Sequence, residues 1–141
     1  MATDSAHRRV RIERLENRKL CAVNERGGQI TLGTGDGTEF TPTELLLAAI
    51  GGCTAVDVDI LTTRRAEPDS FEVIVDAEKV RDEGGNHLTG IEVTYRVRFP
   101  AGEGGDAARA IMPDVVQRSH DRLCTVGRTV ELGTPIGTRI E

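Results

Sequence analysis

An α+β fold is predicted by three observations: two groups of short segments in which apolar and polar residues alternate, a strong helix start at Thr41-Pro42-Thr43-Glu44 that leads into a long apolar stretch, and a second helical pattern from Asp106 to about Leu123. With 141 residues and 38% apolar content, the chain has the size of a single domain, residues 1–141, with a modest core. The elements read βββ-α-ββ-α-β. No helix separates the two strands before the second helix, which favours antiparallel pairing.

"RRVRIERLEN" alternates so that Val10, Ile12 and Arg14 share one side, and "KLCAVNE" and "GQITLG" are further short strands around "NERGG". These three make an antiparallel meander. "TGDGTEF" is a loop of turn formers. Thr41 then suits a helix cap, Pro42 the first helical position and Glu44 the far side of a capping box. The helix is predicted to run from Pro42 to about Arg65, since the next firm stop is Pro68 and only Gly51-Gly52 interrupts it.

The first half of that helix, "LLLAAIGGCTAV", is apolar on all sides, the mark of a helix buried on several faces. One small domain rarely encloses such a helix, so a homodimer is predicted in which the partner covers part of it. Each mid-helix glycine costs roughly 1 kcal/mol relative to alanine, which implies a neighbour that needs the space. "FEVIVDAEKV" and "GIEVTYRVRF" are the clearest strands, with "RDEGGNHLT" as their hairpin loop. In the second helix Pro113 forces a kink or a restart. "TVELGTPIGTRIE" reads as a last strand, bent at Gly133 to Pro135.

Composition excludes several classes of function. A net charge of −5 and aromatic content of 3% without Trp argue against nucleic-acid binding, the locally basic opening "HRRVRIERLENRK" being a solvated strand face. No secretory leader pattern occurs and no apolar run reaches the roughly 18 residues of a membrane span, so the expectation is a cytoplasmic protein without a membrane partner. Cys21, Cys53 and Cys124 form no C-x-x-C pair, and His7, His87 and His120 are scattered, so no metal site is predicted. Nor is there a glycine-rich nucleotide-binding pattern.

Cys53 lies inside the apolar helix and Cys124 at the end of the second, in "HDRLCTVGRTVEL", whereas Cys21 belongs to a strand and reads as packing. Buried cysteine is commonly inert, and the spacing alone leaves open whether the two later sulfurs meet. "TPTELLLAAIGGCTAVDVDIL" together with "SHDRLCTV" resembles the OsmC/Ohr family, in particular the branch with "GGC-[ST]-A-x-D-V". The resemblance covers nearly the whole chain. It implies an intertwined α+β homodimer, an OsmC-like fold with antiparallel sheets around long buried central helices. It also implies a thiol-dependent peroxidase that reduces organic hydroperoxides. Cys53 would be the attacking thiolate and Cys124 the thiol that closes a disulfide, reopened by a small or protein-borne dithiol. That cycle needs no cofactor, whether metal, flavin or haem.

The chain departs from the peroxidases of that family in three ways. They carry a glutamate directly after the helix-opening proline, orienting an arginine over the cysteine; here Thr43 has that place and Glu44 the next, a rotation of about 100° around the helix. Glu44 is therefore a candidate site residue whose other role is the cap. No activating arginine is placed by motif, with Arg14, Arg18 and Arg26 merely upstream. Asp57 stands one turn beyond Cys53 on the same face, where it would either raise the thiol pKa or hold an arginine from the partner chain. Asp57 and Asp59 otherwise read as members of ordinary helix salt bridges. A non-catalytic dimer that binds a small hydrophobic or reactive ligand, or senses redox state, is the alternative reading.

Overall fold

A computed structural model describes residues 6–141. The order is β1 (Val10–Glu16), β2 (Lys19–Asn24), β3 (Gln29–Gly33), α1 (Pro42–Thr63), β4 (Ser70–Asp82), β5 (Gly85–Arg98), α2 (Glu103–Arg118), a π-helical turn (Ser119–Leu123) and α3 (Thr125–Leu132). This is the predicted α+β class with antiparallel sheets. The chain falls into two compact units, one ending at Leu46 and one beginning at Leu47.

In the first unit β1, β2 and β3 form the predicted meander. Asn24 builds the second turn, its Oδ1 accepting the N–H groups of Arg26 at 3.0 Å and Gly28 at 2.8 Å. The pairs Ile12–Ala22 and Ala22–Ile30 put these residues in one cross-strand row. Its outer end remains open: Val10, Ile12 and Ile30 are more than half exposed. The helix start is a capping box as predicted, with Thr41 N–H donating to Glu44 Oε1 at 2.8 Å and Glu44 N–H to Thr41 Oγ1 at 3.2 Å.

The second unit contains most of α1 and a long hairpin, β4–β5. Its strands run straight through the segment read as a loop, from Ser70 opposite Arg98 to Asp82 opposite Gly85, with one irregularity between Asp76 and Glu78. Only Glu83 and Gly84 turn the chain. Asp82 Oδ1 accepts the Gly84 N–H at 2.8 Å, and Gly85 supplies a φ of 120°. Helix α1 lies against β4 at Gly51, where a Cβ would stand 2.5 Å from Val75 Cγ2. That is the neighbour the glycine pair implies, but it concerns Gly51 alone, since among the described residues of this unit nothing lies within 4 Å of a Cβ at Gly52.

Helix α2 runs through Pro113 without a restart and continues to Arg118 before the π turn. One element differs from the sequence reading. The final strand is absent: Thr125–Leu132 is helical, and residues 134–141 have no regular structure. The β-branched Thr125, Val126, Thr129 and Val130 favour a strand, but local signals decide for helix. Cys124 caps α3 at its start, and Gly133, with φ 64°, ends it while its N–H bonds Val130 O. Helix α1 is long and apolar enough to cross a membrane by length and composition, a property it shares with core helices. Its bonds to β5 and to the π turn, described next, hold one face of it against this fold.

Candidate functional site

Cys53 sits mid-way along α1 and is half-buried, far from the first turn where the helix dipole acts. Cys124 is buried at the junction of the π turn and α3. Its N–H donates to Ser119 O at 2.9 Å, closing the turn, and its Sγ accepts the Gly127 N–H at 3.2 Å. The structure brings these two candidates together. Cys53 is near enough to Cys124 to shift its pKa, and both are free thiols. Burial pushes the Cys124 pKa above its ordinary value. The Gly127 N–H works against this, while Cys53 and the charge of Asp57 add to it.

Asp57 forms no helix salt bridge, contrary to the sequence reading. Its Oδ2 accepts the Ser119 hydroxyl at 2.7 Å, and within its own unit no described Lys, Arg or His is ion-paired with it. Asp59 is exposed and its carbonyl accepts the Thr63 hydroxyl. Glu44 has its carboxylate on the Thr41 N–H, which is the capping role.

Around the thiols runs a chain of hydroxyl groups: Tyr95 on β5 bonds Thr54 on α1, Thr54 bonds Ser119 at 2.9 Å, and Ser119 bonds Asp57. Each hydroxyl has one proton and the carboxylate only accepts. Ser119 therefore donates to Asp57, Thr54 to Ser119 and Tyr95 to Thr54, so that all three protons point toward the charge. Burial holds the Tyr95 pKa above its usual value of 10.0; the bond to Thr54 lowers it, and Cys124 and Asp57 raise it further.

An open cleft of about 450 Å³ leads to this cluster. Ile50, Ile91, Val93 and Val116 give it apolar walls, Tyr95, Thr54 and Cys124 line it, and Glu92, Gln117 and His120 are polar groups in its lining. Cys53 is not among the lining residues. His120 pairs with Asp121 at 3.1 Å and with Glu131 at 3.4 Å. Both raise its pKa, the Asp121 bond most. Reading the sequence missed Thr54, Tyr95 and Ser119. One signal was present, since Tyr95 is the chain's only tyrosine and a buried phenol usually finds a polar partner.

An uncharacterised protein of Mycobacterium tuberculosis is 28% identical over 130 residues, covering 92% of this chain and 93% of that one. Among solved structures, a hypothetical protein from Aquifex aeolicus superposes with a TM-score of 0.71 at 22% identity, over 92% of this chain and 91% of that one. The organic hydroperoxide resistance protein OhrB of Bacillus subtilis gives a TM-score of 0.56 at 15% identity, over 86% of this chain and 90% of that one. The likeness to both is one of fold. The family model described as OsmC-like protein matches residues 35–139, well over half of the sequence, and the chain therefore belongs to the OsmC-like protein family.

Proposed function

We propose that this protein is a thiol-dependent peroxidase that reduces organic hydroperoxides through a Cys53/Cys124 thiol–disulfide cycle. The observation that carries the reading is the proximity of the two thiols, one from α1 and one from the end of the π turn. Family membership supports it, and so does the apolar cleft that meets the pair at Cys124.

Because burial, Cys53 and Asp57 hold the Cys124 pKa up, Cys124 stays a neutral thiol near pH 7 and Cys53 is the attacking group. The Cys53 thiolate forms an S–O bond to the terminal peroxide oxygen, and the O–O bond breaks. The leaving alkoxide takes a proton from Cys124, which lines the cleft that holds the organic group, and departs as the alcohol. The Cys124 thiolate then attacks the Cys53 sulfenic sulfur, and the hydroxyl leaves as water once protonated. A disulfide remains, and an external dithiol reduces it by two exchange steps.

The enzyme acts in this reading as a cytoplasmic homodimer. Val56 and Ile60 of α1 are 57% and 51% exposed, on a helix whose apolar character calls for cover on more sides than its own unit gives it.

One equivalent of cumene hydroperoxide is expected to convert reduced protein to the Cys53–Cys124 disulfide, identified by mass spectrometry after digestion. Cys53→Ser abolishes dithiol-dependent turnover. Cys124→Ser stops at a Cys53 sulfenic acid that drifts to higher oxides. Oxidation confined to Cys21, or uptake of ligand in the cleft without turnover, overturns the reading and favours a binding or sensing role.

A further inference from the structure

Ser119 is fully buried and touches both sides of the cysteine pair. Its hydroxyl bonds Asp57 and Thr54, four positions and one position after Cys53 on α1. Its carbonyl accepts the Cys124 N–H at 2.9 Å across the π turn. We propose that Ser119 is a positioning residue for the dithiol, locking the Cys124 turn onto the Cys53 segment of α1 and so raising the effective concentration of one sulfur at the other. This rests on the Cys53/Cys124 cycle proposed above.

The two sulfurs are carried into one neighbourhood by different elements. Cys53 is carried by the rigid interior of a 22-residue helix. Cys124 is carried by five residues with π-helical bonding, a geometry that occurs mostly in single turns and often at functional sites. A disulfide closes only within a narrow range of backbone separation, so a small shift of the turn against the helix takes the pair out of range. Among the described side chains, only that of Ser119 hydrogen-bonds from the π turn to α1. The bond ends on a carboxylate, which makes it charge-assisted and stronger than a neutral one. A serine retained only to fill space has no need of a carboxylate opposite its hydroxyl.

The test uses the whole protein in a glutathione redox buffer, without peroxide. Each protein dithiol gives two electrons to one glutathione disulfide, yielding the Cys53–Cys124 disulfide and two glutathione thiols that take up the two protons. Ser119→Ala is expected to lower the equilibrium constant for that exchange by about tenfold, as loss of one charge-assisted bond implies. Asp57→Asn keeps an acceptor for Ser119 and is expected to leave the constant within about threefold of wild type. A structural role alone would lower the unfolding midpoint of Ser119→Ala while leaving the constant of the folded protein unchanged, and that result overturns the proposal. Should Ser119→Ala fail to fold, Asp57→Ala at its half-buried site removes the same bond and is read the same way. A wild-type protein that forms no Cys53–Cys124 disulfide overturns both this proposal and the peroxidase reading, whereas an equilibrium constant blind to Ser119 and Asp57 overturns this one alone.

Discussion

Along α1, the residues Gly51, Thr54, Val58 and Thr62 are buried, at a spacing of three and four residues, whereas Gly52, Val56 and Ile60 stand exposed on the neighbouring stripe. The first stripe holds Gly51 against Val75 and bonds Thr54 to Tyr95 and Ser119. The second is as apolar, and at Gly52 an added Cβ would meet none of the described residues of its own unit within 4 Å. The difference teaches that one helix serves two surfaces: one is finished by this chain's own hairpin and π turn, and the other is an apolar face that we assign to the second copy. Cys53 falls between them in sequence and is half-buried accordingly.

The strongest way to break this comparison is to charge the open stripe. Val56→Asp is expected to weaken the dimer by about a hundredfold or more, because a carboxylate in an apolar interface has no partner to offset its desolvation. Sedimentation equilibrium reads the change, with circular dichroism checking that the helix content is kept. If wild-type protein sediments as a stable monomer, the open stripe has no partner copy and the assignment fails.

Next in size is the closed stripe. Gly51→Leu must place a side chain where a single Cβ already meets Val75 at 2.5 Å, and the expected cost is about 1 to 3 kcal/mol in urea unfolding. An unchanged midpoint would mean that α1 and β4 separate more readily than their packing implies.

A third test is pH. Tyr95 and Cys124 both have native pKa values above their ordinary 10.0 and 9.0, burial being the main cause in each. Between the unfolded and folded values the native state binds more protons, so stability is intact below about pH 9 and falls as pH rises past it, first through Cys124 and then through Tyr95. Urea midpoints at about pH 7, 9 and 10.5 should show the decline, and Tyr95→Phe should reduce its upper part. A flat profile would place the phenol in contact with water, against its bond to Thr54.

What the sequence made legible follows from how far apart the interacting residues lie. The capping box of Thr41 and Glu44 spans three residues and was readable in full. So were the meander and the extent of α1, which rest on alternation and on Pro42. The last helix was misread because Thr, Val and Leu fit a strand by pattern, while its two deciding signals, the Cys124 cap and Gly133, are single residues. The pairing of Cys53 with Cys124 came from resemblance, not periodicity. The bond from Ser119 to Thr54 spans 65 positions, and no local pattern reports a tertiary contact of that range. Asp57 illustrates the same limit: its spacing from Cys53 was plain, but its actual partner lies 62 residues away.

The smallest effect sharpens the comparison most, because it separates helix propensity from packing. Gly52 is helical, its φ lies outside the left-handed range, and among the described residues of its own unit nothing stands within 4 Å of an added Cβ. In the Val56→Asp background, where the partner is removed, Gly52→Ala should therefore stabilise the monomer by about 0.5 to 1 kcal/mol, chiefly by restricting the unfolded chain. Gly51→Ala in that background should destabilise it, since Val75 belongs to the same chain and does not leave with the partner. In the proposed dimer the Gly52 methyl must also fit the second copy, so any shortfall from the monomer's gain measures how closely the partner approaches at that point. If both alanines stabilised the monomer equally, the two stripes would not differ in packing, and the division of α1 into a finished and an open surface would be wrong.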